Sequence, residues 1–396
     1  MKKTSLLIFL GNLASFGPFV TDFYLPCLPE LSSFFFSPAA VVQISLTASM
    51  FGLAVGQLLI GPISDKYGRR NPLICSLLLF VISTIGCIFS TSIDWFIFFR
   101  LMQGLTGASG LVISKVVITD LFTGKDSARY FAILAAVQFI APILAPVLGS
   151  AVFSLTSWQG IFIVLCVWGV ALLWGGWRMD ESLSEERRLH VPVLKSFACF
   201  SGVVRNRGFL VMTLLLAFVS AVIFSYISAS PFLFQNHFGL SPMRYGLCFA
   251  CNAVGLVAGS AVFMKVRDMR KVLRFGIYGL LAACVLSSCA LMSAWPFPLF
   301  ETVLFLMIFC CGILIPLTTT LALDAEPDNK GVAAALLGAL SFLAGGIVAP
   351  LVGIGDMLVS TVVLFMSGTV VSLLLYLYSR RFDFSLARPE RDVRGL

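Results

Sequence analysis

The stretch GPISDKYGRR, residues 61–70, is a short charged turn between two long apolar runs. The flanking runs, 40–63 and 73–91, each approach the length of about 20 apolar residues that a helix needs to cross a membrane. The basic residues of the turn would hold it in the cytoplasm, because short loops rich in Lys and Arg stay on that side. The turn therefore predicts two antiparallel membrane-spanning helices that are joined inside the cell.

The composition extends this interpretation to the whole chain. Of the 396 residues, 59% are hydrophobic and 12% are charged, whereas soluble domains carry about 25% charged residues. Twelve apolar segments are long enough to span a membrane, and the short alternating segments of a membrane β-barrel are missing. The sequence predicts an all-α integral membrane protein. Its predicted spans are 5–27, 40–63, 73–91, 95–118, 129–153, 158–177, 209–231, 243–264, 272–293, 298–320, 332–354 and 357–379.

Lys and Arg residues are distributed unevenly between the predicted loops. With the N-terminus in the cytoplasm, nearly all of the 27 basic residues lie on that side. Only Arg244 falls in an outer loop, and only Arg100 lies well inside a span. This bias predicts that both termini are cytoplasmic. The net charge of +8 is then a topology signal, so no nucleic-acid partner is predicted.

The longest hydrophilic stretch, residues 178–208, separates six spans from six. APVLG at 145–149 recurs as APLVG at 349–353, and Asp120 matches Asp324 at the same offset. Features that share one offset favour a duplicated six-span unit, which is a known transporter architecture. The predicted domains are an N-terminal six-helix bundle at 1–177, a cytoplasmic linker at 178–208, a C-terminal six-helix bundle at 209–380 and a cytoplasmic tail at 381–396.

Asp22 and Arg100 are the two charged residues predicted to lie well inside spans. A charge there costs about 2.5–3.5 kcal/mol on insertion scales, so it needs a partner or a water-filled cavity. Each lies about five residues from the outer end of its span, which places both at similar depth. We expect Asp22 to be a protonatable group that Arg100 biases. The alternatives are a headgroup-level surface acid at Asp22 and a purely structural hydrogen-bonding role for Arg100.

Small and polar residues share helical faces with these two charges or lie inside spans of the second half. An apolar, aromatic cavity with a few polar groups suits amphipathic organic molecules. Glu301 is a second acid near a span end and is predicted to be interfacial. The predicted substrate cavity residues are Ser15, Gln103, Gly107, Tyr226 and Asn252.

Three segments of the sequence resemble motifs of a known family. The charged turn matches the loop motif G-x-x-x-D-x-x-G-R-[RK] of the major facilitator superfamily. RLMQGLTGASG, residues 100–110, is similar to that superfamily's membrane arginine followed by a Gln-Gly pair. TDFYLPCLPEL, residues 21–31, most resembles its bicyclomycin-resistance branch of drug:proton antiporters. The matching loop residues are Gly61, Asp65, Gly68, Arg69 and Arg70.

The fifth span resembles an antiporter motif in part. AVQFIAPILAPVLGS, residues 136–150, keeps the small-residue pattern of G-x8-G-x3-G-P-x2-G-G, but alanines and a serine replace several glycines. Close helix packing and a specific antiport role both remain open for this helix. The candidate motif residues are Ala141, Ala145, Pro146 and Gly149.

The resemblance implies a secondary active transporter of the bacterial inner membrane. It implies proton-coupled export of small amphipathic organic compounds or drugs by alternating access, with residues 61–70 as a cytoplasmic gate. A proton-coupled importer or exporter of a small metabolite is the alternative, and a loop that serves only topology is the alternative for the gate. No enzyme activity and no cofactor are expected, because the proton gradient supplies the energy. The expected partners of the monomer are its substrate, protons and the lipid bilayer.

Overall fold

The computed structural model describes residues 3–188, 198–266, 268–327 and 330–381. These residues are almost entirely helical. Within them, 11 helices are long and apolar enough to cross a membrane, and a bent helix pair at the N-terminus adds a twelfth if it forms one span. The prediction of an all-α, multi-pass membrane protein is confirmed.

The first half holds the bent pair and five long helices. The bent pair consists of α1 (Lys3–Ala14), α2 (Phe16–Thr21), a 3-10 turn (Leu25–Cys27) and α3 (Leu28–Phe34). The long helices are α4 (Ala39–Tyr67), α5 (Arg70–Ile88), α6 (Ile93–Leu121), α7 (Gly124–Leu155) and α8 (Trp158–Arg178). A short 3-10 turn (Glu185–Arg187) follows in the linker.

The second half begins with a short helix, α9 (Ala198–Arg205), and continues with six long ones. The long helices are α10 (Arg207–Phe232), α11 (Pro242–Lys265), α12 (Met269–Met292), α13 (Phe297–Asp324), α14 (Lys330–Val352) and α15 (Met357–Ser379), with a π-helical turn (Leu233–His237) after α10. Residues 189–197 of the linker and the tail beyond 381 lie outside the described residues, and the domain boundaries stay predictions.

The first span is bent, whereas the sequence predicts one continuous helix at 5–27. The two arms, Thr4–Ala14 and Phe16–Phe34, meet at 45°. Pro18 lacks the backbone N–H that a continuous helix would use to bond the carbonyl of Ala14. Ser15 Oγ instead donates to the carbonyl of Asn12 (2.8 Å), within the turn that closes α1. The bend therefore has a local cause, and it sets the direction of the segment that carries Asp22.

Equivalent close contacts in the two halves support the internal repeat. A Cβ placed on Gly104 of α6 would lie 2.0 Å from the carbonyl oxygen of Ser49 on α4. A Cβ on Gly312 of α13 would lie 2.1 Å from the carbonyl oxygen of Leu256 on α11. With the bent pair counted as the first span, these are the second and fourth spans of each half. Only glycine allows the helices to approach so closely.

We expect Gly104→Ala to destabilise the protein by about 1–3 kcal/mol, because the added methyl group would force α6 away from α4. Gly331→Ala is the matched control, since no heavy atom lies within 4 Å of its added Cβ. Thermal unfolding of the purified variants in detergent measures the effect. Equal unfolding temperatures for Gly104→Ala and Gly331→Ala would show that the close contact is not needed.

The two halves pack together through α4 against α14 and α7 against α11. We call the end of the bundle that carries residues 61–70 the linker end and the opposite end the far end. At the far end, Gln43 Nε2 donates to the carbonyl of Ser228 (3.1 Å), and Gln235 Nε2 donates to the carbonyl of Pro26 (3.0 Å). These hydrogen bonds between the halves close the far end.

Candidate functional site

Asp22 is buried at the end of α2, just beyond the bend, with 6% of its surface exposed. Thr21 Oγ1 donates to Asp22 Oδ1 (2.7 Å), and the backbone N–H of Asp22 donates to the carbonyl of Pro18 (2.7 Å). Within the described residues, no cation forms an ion pair with this carboxylate. Burial does not fit the alternative of a headgroup-level surface acid. A buried carboxylate of this kind can bind a proton or a cationic substrate.

Arg100 is completely buried on α6 and is held by neutral groups. Its Nη2 donates to the carbonyl of Val20 (2.7 Å) and to Ser49 Oγ (3.0 Å), and its Nη1 donates to Gln103 Oε1. The guanidinium carbon lies 4.0 Å from the centre of the Tyr24 ring, within cation–π range. Arg100 therefore joins the first span to α4 and α6. These contacts satisfy its hydrogen-bonding capacity in part but leave its positive charge uncompensated.

The structure brings Asp22 and Arg100 to the same region without an ion pair between them. The carbonyl of Val20, two residues before Asp22, takes one arm of the guanidinium, and the ring of Tyr24, two residues after it, covers the guanidinium face. Neighbours of Asp22 on both sides thus contact Arg100, while the carboxylate of Asp22 itself has its hydrogen bond from Thr21. The proton-coupling role of both residues stays a prediction.

The cavity candidates of the first half are packed beneath the bent span. Gln103 Nε2 donates to Thr84 Oγ1 (2.8 Å), so Gln103 links Arg100 to α5. A Cβ on Gly107 would lie 3.2 Å from the ring of Phe16, which shows that this glycine makes room for the ring. Ser15 is buried at the bend. That Ser15, Gln103 and Gly107 contact the substrate stays a prediction.

Two cavity candidates of the second half form one network with Glu301. Asn252 Nδ2 donates to Tyr226 Oη (3.2 Å) and to Glu301 Oε1 (2.9 Å). The ring of Tyr226 stacks on Phe249, with centroids 5.4 Å apart. The carboxylate of Glu301 is thus bound by the buried amide of Asn252, and the predicted interfacial position of Glu301 stays a prediction. The close contacts pair Gly104 with Gly312, an offset of 208 and not the 204 predicted from the sequence, and in this register Ile308 stands where Arg100 stands in α6.

The predicted gate residues form an ion-pair cluster at the linker end. Arg69 Nε donates to Asp120 Oδ2 (2.9 Å), and Arg69 Nη1 donates to Asp65 and to Ser64 Oγ (2.9 Å). Gly68 has φ +86°, a conformation that favours glycine and allows the turn between α4 and α5. The cluster ties α4, α5 and α6 together. Arg69 and Asp120 are shielded from water, with side chains 6% and 12% exposed, whereas the side chain of Asp65 is 40% exposed.

Glu181, just after α8, caps the N-terminus of α5 next to the predicted gate residues. Its Oε1 accepts from the backbone N–H of Arg69 (2.8 Å) and its Oε2 from that of Arg70 (3.1 Å), at the N-terminus of α5. Burial alone would raise the pKa of Glu181, but backbone hydrogen bonds from Arg69, Leu183 and Arg70 outweigh burial and hold the pKa below its usual value. The cap is therefore charged at neutral pH, and its contribution to stability is lost only as the pH falls through this lowered pKa. Arg70 Nη2 also donates to the carbonyl of Trp177 (2.7 Å).

Sequence reasoning missed three residues that the structure places in these clusters. Tyr24 lies in the segment 21–31, only two residues after Asp22. That closeness in sequence could have indicated that Tyr24 also lies near Arg100. In the sequence, Asp120 stands out only as part of the repeat, and Glu181 only as one acid of the linker. Both are acids near helix ends, on the same side of the membrane as the basic turn. Their pairing with Arg69 and Arg70 could have been predicted from that position.

We expect Asp65→Asn to reduce transport by about tenfold or more while the protein remains inserted, because a charge-assisted hydrogen bond contributes about 1.5–3 kcal/mol. Removing the charge should shift the balance between conformations instead of unfolding the protein. Asp94→Asn, an exposed acid at the far end, is the control. Initial rates in proteoliposomes at equal protein content are the measurement. Wild-type rates for Asp65→Asn would leave residues 61–70 with only a topological role.

The antiporter-like segment of α7 is a close-packing surface. A Cβ on Gly149 would lie 1.9 Å from the carbonyl oxygen of Phe23, so α7 touches the backbone of the bent span directly. A Cβ on Gly246 of α11 would lie 2.9 Å from the carbonyl oxygen of Pro146. Ala141 and Ala145 are buried. The segment thus packs against the first span and against the other half, and its specific role in antiport stays a prediction.

Comparisons with known proteins agree with this arrangement. The family model described as "Major Facilitator Superfamily" matches residues 7–350. The chain is 33% identical to "Uncharacterized MFS-type transporter YdgK" of Bacillus subtilis (strain 168) over 90% of each protein. It is 25% identical to the "Bicyclomycin resistance protein homolog" of Haemophilus influenzae over 95% of this chain and 96% of the relative.

Solved structures show the same fold at lower sequence identity. A bacterial homologue of the human lysosomal transporter Spinster, in an inward-facing and occupied conformation, superposes with a TM-score of 0.76 at 16% identity. The match covers 98% of this chain and 99% of that one. The family match spans most of the chain, both halves and the gate turn. The chain is a membrane transporter, not an enzyme, and it belongs to the major facilitator superfamily.

Proposed function

We propose that this transporter exports small amphipathic organic compounds in exchange for protons. The observation that carries the proposal is the buried carboxylate of Asp22, which has a hydroxyl group as its partner and lies at the bend of the first span. A buried carboxylate exchanges a proton more readily than it keeps a charge in the membrane. The similarity to a bicyclomycin-resistance protein homolog supports a drug-like substrate.

Alternating access supplies the mechanism. The halves are hydrogen-bonded at the far end, through Gln43 and Gln235. At the linker end, an added Cβ would meet no heavy atom within 4 Å at Gly61 or at Gly331. From these two observations we infer a carrier that opens toward the linker end. With the basic loops in the cytoplasm, as proposed from their charge, the carrier loads its substrate from inside the cell.

Coupling follows from competition between substrate and proton. In the loaded state, substrate near Asp22 favours the charged carboxylate and the proton leaves. In the empty state, a bare carboxylate in the membrane is costly, so a proton must bind before the carrier returns. Each ligand therefore lowers the affinity for the other, and this coupling is reciprocal. We propose that the positive charge of Arg100, which contacts Val20 and Tyr24 on either side of Asp22, favours the charged form of Asp22 at the stage of the cycle when the two side chains approach.

The remaining parts of the proposal concern the cell and the assembly. We propose a monomer in the bacterial inner membrane, with both termini in the cytoplasm and the proton gradient as energy source. A cysteine placed at Ser92 should react with a membrane-impermeant thiol reagent in intact cells. A cysteine placed at Arg188 should not react until the membrane is opened. Reaction at Arg188 in intact cells would invert the proposed topology.

Proteoliposomes distinguish export from the rival proton-coupled import. A lumen more acidic than the outside should drive uptake of bicyclomycin, or of ethidium as a second amphipathic probe, if the protein is an antiporter. An alkaline lumen should drive uptake if it is a symporter. We expect uptake with the acidic lumen only. Uptake of either probe with the alkaline lumen only would overturn the direction proposed here.

A further inference from the structure

Glu301 and Asn252 carry two acceptor oxygens that have no donor. Glu301 Oε2 and Asn252 Oδ1 are both buried without a hydrogen-bond partner in the part of the chain that the structure describes. The two amide hydrogens of Asn252 are already used, one on Tyr226 and one on Glu301 Oε1. A buried acceptor without a donor is destabilising, and more so when it is charged. The network as it stands therefore lacks one donor.

One proton on Oε2 of Glu301 supplies that donor. A protonated carboxyl group and a primary amide are complementary, because each offers one donor and one acceptor. Asn252 Nδ2 already donates to Oε1, and an O–H on Oε2 that donates to Oδ1 would satisfy both unpartnered atoms. We propose that Glu301 is a second site that binds and releases a proton during transport, with Asn252 as the residue that positions it. This inference rests on the proposed proton-coupled function.

The groups around Glu301 favour its protonated, neutral form. The titratable groups near it are the hydroxyl of Tyr226 on α10 and the thiol of Cys248 on α11, both of which are neutral at physiological pH. Among the described residues, no basic side chain forms an ion pair with Glu301. An anionic carboxylate would thus be uncompensated inside the membrane, whereas the protonated form needs no counter-ion.

An aromatic layer connects this site with Asp22. Tyr226 stacks on Phe249, and the ring of Tyr245 lies 5.9 Å from that of Phe249. The hydroxyl of Tyr245 lies 3.4 Å from Ser230 Oγ and within electrostatic range of Asp22. The two acids, one in each half, are therefore separated by a layer that belongs to the second half. Movement of the halves against each other would change how Asp22 faces this layer, whereas the partners of Glu301 named above all belong to the second half.

Infrared difference spectroscopy of the protein in lipid films tests this site without any substrate. Protonated carboxyl groups show a C=O stretch that carboxylates lack. Lowering the pH from alkaline to mildly acidic should produce bands from two buried carboxyl groups in the wild type. Asp22→Asn should remove one of them and Glu301→Gln the other. Glu30→Gln, a change at an exposed acid of the far end, is the control and should remove neither.

Tyr226→Phe separates a positioning role from general damage. It deletes one hydrogen bond to Asn252 and should shift the Glu301 band without removing it. Glu301→Gln keeps an amide that can pair with Asn252, so it imitates the protonated state and should fold normally. The proposal fails if Glu301→Gln retains all pH-dependent bands of the wild type. It fails equally if the band that Glu301→Gln removes does not change with pH.

Transport then shows whether the second proton is used. In proteoliposomes, Glu301→Gln should lower the number of protons exchanged per substrate from about two to about one, because one of two linked proton sites is lost. An unchanged ratio would contradict use of this site in the cycle. If wild-type protein moves neither probe under either gradient, the proposed function fails, while the infrared titration still decides whether Glu301 binds a proton.

Discussion

Asp22→Asn is expected to lower gradient-driven accumulation of substrate by about 100-fold, close to the background of empty liposomes. A coupling free energy of about 1–3 kcal/mol between two ligands corresponds to about 5–150-fold in binding, and the variant removes one of those ligands. Asparagine is neutral at every pH and keeps the shape and the contact with Thr21. The variant can therefore still cycle, but without the proton that ties the cycle to the gradient.

Two assays on the same liposomes separate this outcome from simple inactivation. Exchange of labelled for unlabelled substrate without a gradient should persist in Asp22→Asn, because exchange needs no proton. Accumulation against a gradient should be lost. Asp94→Asn removes an exposed acid and should behave like the wild type in both assays. Wild-type accumulation by Asp22→Asn would remove Asp22 from the mechanism.

Arg100→Lys is the second large effect that we expect, although the positive charge is kept. The two terminal nitrogens of Arg100 together serve the carbonyl of Val20, Ser49 and Gln103, and one ammonium group cannot reach all three. Each buried acceptor that loses its donor costs about 1–3 kcal/mol. Transport should fall by about tenfold or more, and the unfolding temperature should fall as well.

Thermal unfolding and transport should be measured on the same preparations of Arg100→Lys. Arg244→Lys, at an exposed position of α11, is the matched control and should change neither property. A variant with lower stability and normal transport would make Arg100 a purely structural residue, which is the alternative considered from the sequence. Wild-type behaviour in both properties would contradict the contacts described here.

Most of the fold could be predicted because the membrane imposes simple rules. Hydrophobic length located the long helices, but residues 61–67 of the predicted turn continue α4, and only Gly68 and Arg69 lie between α4 and α5. The bend in the first span was missed because Pro18 also suits a helix start or a mild kink, and sequence alone does not choose. The domain boundaries depend partly on residues 189–197, which lie outside the described part of the chain.

The candidate site was predictable in position but not in pairing. Asp22 and Arg100 were predicted to lie in one region because they lie at similar depth in their spans. Depth alone does not determine which atoms are in contact. The backbone carbonyl of Val20 competes for the guanidinium, and backbone atoms are invisible in a pattern of side chains. The partner of Glu301 was not predictable for a related reason. Nearness to a helix end predicts an interfacial position, and the sequence does not show that Asn252, on another helix, donates to the carboxylate.

Proton exchange on substrate binding tests the central claim about Asp22 most directly. Once a substrate is identified with the liposome assay, its binding can be measured by calorimetry in buffers that differ in ionisation enthalpy. The slope of the observed enthalpy against the buffer enthalpy gives the number of protons released or taken up. Wild-type protein should exchange about one proton more per substrate than Asp22→Asn, because the amide of the variant has no proton to exchange in this range. The same proton exchange in both proteins would contradict the role of Asp22 in coupling.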